Sequence, residues 1–500
     1  MGKVLGGGFG KGPRKPATAP RRIRVSKPLA PTHLKPKQPP AVPIPAALRL
    51  GLTDLDSADR FARYWKGKAK FAPGVGWLKW EGSHWEVLSD AEALHLCRKP
   101  AGQMADRFPN IALDDASKFA KWVTESRQVP LLKRTLTLAE GMSELRCEAD
   151  GLDANPYLLA TPSGVVDLKT GELIDPEPGQ WMTHRTAVEY DPQAKAPKWE
   201  AYLAERLKGH LEVVGYVQRA LGQGLIGYTG PHVFLLYGPT HCGKTTTLEV
   251  VMALLGGYAA TMPVGVLMTN ERGSEGAQPF LASLRGVRFV KASESKATDR
   301  FEAHVLKLLT GSDRIEVRHL YQRPFSMMPR FTVFLCTNHA PAVDDPGAAM
   351  WNRLRLIPFE TSHVGHDETY IRRMVEEEGP GILRWLVGGA RLAISKGFKQ
   401  PLLVQTRTGE YRKVNDPLLE WLEVRCTKKE GVIGTGLRRD YVVWCRQAEY
   451  HPIGDKAWSE AMRQRFNIHP ARTSQGIAFV GVKLKSPTPE GKGKARIVIE

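Results

Sequence analysis

Cysteine is scarce in this chain of 500 residues: six in all, at 97, 147, 242, 336, 426 and 445, with no CxxC pair and no histidine cluster at zinc spacing. That excludes a disulfide scaffold and a metal ribbon, and it fits a reducing compartment. Long apolar runs are missing as well. No segment approaches membrane-spanning length, and the N-terminus lacks the continuous apolar core of a secretory signal, so a soluble intracellular protein is expected. Acid is in short supply. Lys and Arg outnumber Asp and Glu by 71 to 52, a net charge of +19, which favours a polyanionic partner, nucleic acid before membrane.

Residues 1–45 contain no acid at all, but ten Lys or Arg and ten prolines. Proline and glycine forbid regular packing and the charges repel, so this zone is expected to be disordered. Two uses stay open for it: a basic arm that grips phosphates, or a solvated linker. The same prolines spoil the amphipathic helix of an organelle-targeting peptide.

What is present is ample core material, 42% apolar residues with twelve tryptophans, over a length that predicts two to four domains. From 46 to 195 the pattern is mixed. "DSADRFARYWKG" has helical spacing, "GVGWLKWEGSHWEV" alternates like a hairpin, and "NPYLLATPSGVVDLKTGELI" reads as short strands joined by turns. Trp77, Trp80 and Trp85 could stack bases, but a hairpin core is the better use of them. "PKWEAYLAERLKGHLEVVGYVQRALGQGLIGY" is helical, and beyond 233 strands and helices alternate to about 360, which predicts a mostly parallel sheet covered by helices. Helical segments run on to about 397. "NDPLLEWLEVRCTKK", "GLRRDYVVWCRQAEY" and "KAWSEAMRQRFNI" then read as helices and "IAFVGVKLK" as a strand, before a loose tail from 486.

"HVFLLYGPTHCGKTTTLEVVMALLGGY" carries the clearest chemistry. Gly238, Gly243, Lys244 and Thr245 meet the pattern GxxxxGK[ST] between a buried strand and a helix that closes on glycine. Backbone N–H groups of the loop Gly238, Pro239, Thr240, His241, Cys242, Gly243, with Lys244, Thr245 and Thr246, would converge on phosphate oxygens. Lys244 would reach the outer phosphates and the Thr245 hydroxyl one Mg²⁺ position, so ATP and Mg²⁺ are the expected cofactors.

Hydrolysis needs a carboxylate near the metal and water. "GVRFVKASESK" offers Glu294 after a strand, to polarise water and serve the metal alongside Thr245. "KLLTGSDRIEVRHLYQRPF" follows as a helix end and a basic ribbon. "FTVFLCTNHAP" delivers Asn338 from an apolar strand, and "MWNRLRLIPF" supplies Arg353 and Arg355, candidates to stabilise transition-state charge in a neighbouring copy.

Glu294, the Lys307, Thr310, Gly311, Asp313 element, Asn338 and the arginine pair resemble the Walker B, B′, sensor and arginine-finger motifs of superfamily 3 helicases, in particular the phage and poxvirus primase-helicase group. The collar and loop, the region 46–195 and residues 417–485 are similar to that group's collar, helicase-associated domain and winged-helix region. The resemblance implies a fold class: α/β, an AAA+-like P-loop core (196–400) after a helicase-associated domain (46–195) and before a winged helix (401–485). It also implies a ring, usually a hexamer, that moves 3′ to 5′ on single-stranded DNA threaded through it, in the host cytoplasm if phage-encoded.

On that analogy Arg318, His319 and Arg323 hold backbone phosphates in the pore. Arg438, Arg439, Lys456, Arg463 and Arg465 are offered by the winged helix to duplex DNA, or to a protein partner. The chain departs from its relatives at Ser293, where many carry a paired acid, and at Asn352, where many carry arginine before the finger. Only the basic arm precedes the helicase-associated region, so primer synthesis is not expected here, and a separate primase or polymerase is a candidate partner. Beside a DNA translocase, two other readings stay open: a nucleotide-switched origin initiator or helicase loader, and a small-molecule P-loop kinase.

Overall fold

Cover on both faces of one parallel sheet explains the apolar run VFLLY. The computed structural model describes residues 51–485 apart from 108–110, 229, 270–277, 294, 296–297, 312, 319–323, 344–346, 362–368, 449 and 474–475. The arm at 1–45 and the tail from 486 thus lie outside the described residues.

Helix Asp54–Trp65 starts at a capping box, with the Asp56 amide donating to Thr53 Oγ1 at 3.2 Å and the Thr53 amide to Asp56 Oδ2 at 3.0 Å. Strands β1 (Ala69–Ala72), β2 (Gly76–Trp80) and β3 (Trp85–Val87) form an antiparallel sheet in that order. The β2–β3 hairpin follows the alternation in the sequence; β1 escapes it because AKFA is only four residues long. Trp77 and Trp85 are 4% and 1% exposed, and Trp85 stacks on Trp181 with ring centroids 5.3 Å apart. They are core, as the hairpin reading holds. A second antiparallel sheet follows, β4 (Leu158–Thr161), β5 (Gly164–Asp167) and β6 (Leu173–Ile174), with the predicted turns.

The collar is two helices, Pro197–Arg206 and Leu211–Gln223, laid against the 27-residue helix Tyr370–Lys396. The contact is close. A Cβ on Gly389 would lie 2.1 Å from the Gln218 carbonyl oxygen, and one on Gly222 2.3 Å from the Ala390 nitrogen. Glu378, buried in the long helix, accepts the amides of Lys198 and Trp199, both at 2.9 Å, and so satisfies the N-terminus of the first collar helix.

Next come β7 (Val233–Tyr237), β8 (Ala259–Met262), β9 (Phe289–Ser293), β10 (Arg300–Phe301), β11 (Ile315–Val317), β12 (Phe325–Met327), β13 (Thr332–Thr337), β14 (Ala342–Val343) and β15 (Leu354–Pro358). Five of them make the central sheet, all parallel, in the order β15–β7–β13–β9–β8. Phe234 and Leu236 of β7 join one core with the collar and helix Lys244–Leu255, while Val233 and Leu235 join a second core on the other face. β11 and β12 pair as an antiparallel ribbon, as the basic ribbon expectation holds.

Helix Leu402–Val414, grouped with the C-terminal region in the sequence reading, packs on β15 instead: the Leu356 amide donates to Thr408 Oγ1 at 3.1 Å, and Tyr411 meets Trp351 edge to face. The C-terminal unit then runs helix Pro417–Arg425, β16 (Cys426–Gly434), helices Leu437–Gln447 and Asp455–Phe466, β17 (Pro470–Thr473) and β18 (Gly476–Leu484). Its sheet order is β16–β18–β17, over a core that includes Trp421, Tyr441, Trp458 and Phe479. The helix expected across NDPLLEWLEVRCTKK stops at Arg425, and CTKK opens β16. Among the described residues no helix is long and apolar enough to cross a membrane.

Two outcomes follow from this packing. Glu378→Ala orphans two amides, that of Trp199 buried, and is expected to lower stability by about 1–3 kcal/mol, read as a lower urea midpoint. Burial, reinforced by Arg355, pushes the His232 imidazole down to about 4, against an ordinary value of about 6.5. Between those values the unfolded chain binds a proton that the folded chain refuses, so this contribution is full above about pH 6.5 and is lost on acidification towards about pH 4. His232→Phe keeps a ring against Phe234 and Phe398. Its urea midpoint should therefore fall less between about pH 7 and pH 4.5 than that of the native chain.

Candidate functional site

β7, between β15 and β13, leads into the loop 238–243, and helix Lys244–Leu255 leaves it. A Cβ at Gly238 would stand 1.8 Å from the Phe359 carbonyl oxygen, so only glycine fits. Gly243 caps the helix at φ +92°, with Tyr202 Oη 2.6 Å from where its Cβ would be. His241 also takes a left-handed conformation, φ +62°, which is uncommon for a residue with a side chain. No side chain caps this helix among the described residues, so none of them satisfies its first amides, the usual setting for an anion. Pro239, Thr240, His241 and Thr245 are exposed, Thr246 is half-buried and Cys242 is buried.

Lys244 lies over this loop at 6% exposure. Its Nζ donates to Gly238 O at 2.8 Å, Pro239 O at 2.7 Å and Asn338 Oδ1 at 2.9 Å, with Cys242 Sγ at 3.2 Å. Among the described residues no carboxylate pairs with it. Asn338 in turn donates from Nδ2 to Thr240 Oγ1 at 3.2 Å, so the end of β13 and the loop after β7 are joined side chain to side chain. The Ser295 and Thr337 hydroxyls bond each other and converge on the His339 carbonyl at 2.9 and 2.6 Å, which ties the end of β9 to the end of β13. Glu294, between Ser293 and Ser295, lies outside the described residues.

Arg353 is half-buried, donating from Nε to Thr310 Oγ1 at 2.8 Å and from Nη1 to Ala349 O at 2.7 Å. Two separate sequence signals, the TG element and the first arginine, therefore meet in space; Gly311 and Asp313 follow directly, and Lys307 lies one turn earlier in helix Ala303–Leu309. Arg355 differs from expectation. Its Nη1 donates to the carbonyls of Trp351 and Leu354, at 3.2 and 2.8 Å, and burial holds its guanidinium below its ordinary range, against Tyr216, which raises it. It is turned into its own fold rather than outward.

Arg318 is exposed at the end of β11; His319 and Arg323 lie outside the described residues. In the C-terminal unit Arg438 donates to Asp455 Oδ1 and Ile453 O, both at 2.7 Å, and lies over the rings of Tyr441 and Trp458. Arg465 pairs with Asp416, whose carboxylate is 1% exposed, and covers Phe466. These two arginines hold the unit together, a correction to their assignment as DNA contacts. Arg439, Lys456 and Arg463 are exposed.

Two features carry no sequence signal. Tyr202 of the first collar helix donates its hydroxyl to Gly243 O at 2.9 Å from 41 positions away. A cavity of about 510 Å³ opens beside Gly238 and Pro239, walled by His339, Glu360, Arg407 and Tyr411. There Arg407 and Lys208 hold the Glu360 carboxyl below its ordinary range against a burial that would raise it.

Residues 58–207 match the family described as D5 N terminal like, and residues 236–353 match a family of unknown function, DUF5906. A provisionally named helicase of Acanthamoeba polyphaga mimivirus is 27% identical over 294 residues, 54% of this chain and 30% of that protein. A provisionally named helicase of Frog virus 3 is 32% identical over 131 residues, 25% of this chain and 14% of that protein. Primase D5 of Fowlpox virus is 25% identical over 149 residues, 29% of this chain and 18% of that protein. The match spans less than a third of the length of each relative. Among solved structures, the apo C-terminal region of NrS-1 aligns at TM-score 0.48 and 8% identity, over 83% of this chain and 96% of that one. With a D5 N-terminal-like region upstream of its phosphate loop, the chain is similar in part to viral proteins named as helicases and primases.

Proposed function

We propose that this chain is the motor portion of a replicative DNA helicase of a phage, plasmid or large virus, driven by ATP and working as a ring on single-stranded DNA. The observation that carries the reading is Lys244: a buried ammonium at a helix N-terminus, bonded to Asn338, with only neutral partners among the described residues. A triphosphate suits that donor set, because its oxygens bring the negative charge the site lacks. Mg²⁺, when bound, would neutralise phosphate charge and polarise the bond to be broken.

In this scheme the loop amides and Lys244 orient the phosphates, and the exposed Thr245 hydroxyl serves the metal. Glu294 takes the proton side of the attacking water. Asn338 reports the state of the outer phosphate to Thr240 and the end of β13. Arg353, steadied by Thr310, stabilises charge at a neighbouring copy's site. Arg318, with His319 and Arg323, grips the threaded strand from the β11–β12 ribbon. The C-terminal unit has the helix–strand–helix–helix–strand–strand order of a winged helix. Arg439, Lys456 and Arg463 are its exposed cations for duplex DNA. That basic face also suits a nucleotide-switched initiator, which would bind a duplex sequence without unwinding it.

ATP hydrolysis by the purified chain is expected to rise with single-stranded DNA and to separate a forked duplex. Lys244→Ala should cut hydrolysis by about 10²-fold or more, and Glu294→Gln should retain nucleotide but stop unwinding. Hydrolysis without strand separation in any oligomeric state, alongside tight duplex binding, would select the initiator. Doping Arg353→Ala subunits into native protein tests the action in trans. Activity should fall more steeply than the mutant fraction, because each variant subunit silences a neighbour's site; a linear fall assigns Arg353 to its own subunit.

A further inference from the structure

Arg206 ends the first collar helix, and no motif marks it. Its side chain lies along the phosphate loop: a Cβ at Gly243 would stand 3.0 Å from Arg206 Cδ and 3.2 Å from Cγ. The residue is 6% exposed. Its guanidinium sits over the Tyr202 ring, 5.4 Å from the centroid, and Nη2 approaches Glu205 Oε1 at 3.3 Å. Nε and Nη1 are buried and find no acceptor among the described residues.

Guanidinium stays protonated in proteins, so these donors cannot relieve their burial by losing charge. Orphaned buried donors are rare, and in a concave site they mark the place of a missing acceptor. Anionic oxygen matches both the charge and the forked geometry. The adjacent helix N-terminus, uncapped by any described side chain, presents the same demand from the other side of Gly243. The two cations divide the loop between them. Lys244 gathers at its start, on Gly238 and Pro239, and Arg206 stands at its end, on Gly243.

We infer that Arg206 contacts the bound nucleotide from the collar of the same subunit, donating Nε and Nη1 to oxygens of the inner phosphates and ribose. The inference rests on the nucleotide reading above and adds to it a residue that neither the loop nor the sheet supplies. It also makes the collar a direct sensor of occupancy. Tyr202, beside Arg206, stacks on Trp199 at 5.8 Å, and Trp199 meets Trp385 of the long helix edge to face at 5.9 Å.

The test is equilibrium binding of fluorescent ADP and ATP analogues to the full chain and to Arg206→Met and Arg206→Lys, with thermal unfolding of each nucleotide-free protein. Methionine keeps the stem against Gly243 and removes the charge. Arg206→Met is expected to weaken ADP and ATP alike by about tenfold or more, with a nucleotide-free melting midpoint equal to or above the native one, because two buried donors without acceptors have been removed. Arg206→Lys should recover part of the affinity. Unchanged ADP and ATP affinity with a lowered midpoint would make Arg206 a structural arginine and overturn the inference. So would a loss confined to ATP, which would move the contact to the outer phosphate. If the native chain binds neither nucleotide, the functional proposal itself fails; if it binds both and Arg206→Met binds equally well, only this inference does.

Discussion

A buried ammonium held by neutral oxygens is the constraint from which the rest of the molecule can be understood. Removing a lysine charge from water is costly unless it is paired or well solvated by dipoles. Lys244 has two loop carbonyls and the Asn338 amide oxygen in place of water. That solvation is adequate and no better, because none of the three oxygens carries a formal charge. A phosphate oxygen offers the same geometry with a full negative charge, so the loop is folded around a cation that gains by exchanging partners. The helix N-terminus adds its unsatisfied amides to the same demand.

Strand order delivers these groups to one place. The chain leaves β7, runs to β8 at the far edge, returns through β9, and inserts β13 between β9 and β7 before β15 closes the other side. Loops leaving β7 in one direction and β13 in the other open a crevice at the carboxyl ends of the strands. Gly238 and Pro239 follow β7, Asn338 follows β13, and Ser293 ends β9. Since all five strands are parallel, every functional loop emerges on the same edge. The hydroxyl clasp of Ser295 and Thr337 on the His339 carbonyl keeps the β9 and β13 ends in register, and with them Asn338.

This part of the molecule was legible because its signals are local. A buried strand, a glycine-bounded loop and a helix occur consecutively, and FTVFLCTN is an apolar strand that stops at an amide. The tryptophan hairpin was legible for the same reason. Arginine was not. Whether a basic side chain on a helix faces DNA or locks its own domain depends on an acid elsewhere in the fold. For Arg465 that acid is Asp416, 49 positions away, and for Arg438 it is Asp455, 17 away. Composition sees a basic helix in both cases. Arg355 was offered with Arg353 to a neighbouring copy, whereas the Tyr216 and His232 side of the sheet encloses it. Helix Leu402–Val414 carries a pattern that fits either neighbour, and only the Thr408 and Tyr411 contacts assign it to β15.

The collar's grip on the loop is also non-local, and its rigidity sets what it can transmit. Gly222 and Gly389 let backbones touch where any side chain would separate them, and Glu378 fastens the start of the first collar helix to the long helix. Close-packed interiors have little compressibility, so a helix held at both flanks cannot absorb a displacement by shifting one side chain. Tyr202 bonds to Gly243 from the middle of that fastened helix, and Arg206 touches Gly243 from its end. Movement at Gly243 therefore passes to the collar helices and the long helix together, as a body. That argument gives the collar a mechanical part in the site as well as a structural one. It depends on contacts between residues up to 180 positions apart, which is why no stretch of sequence announces it.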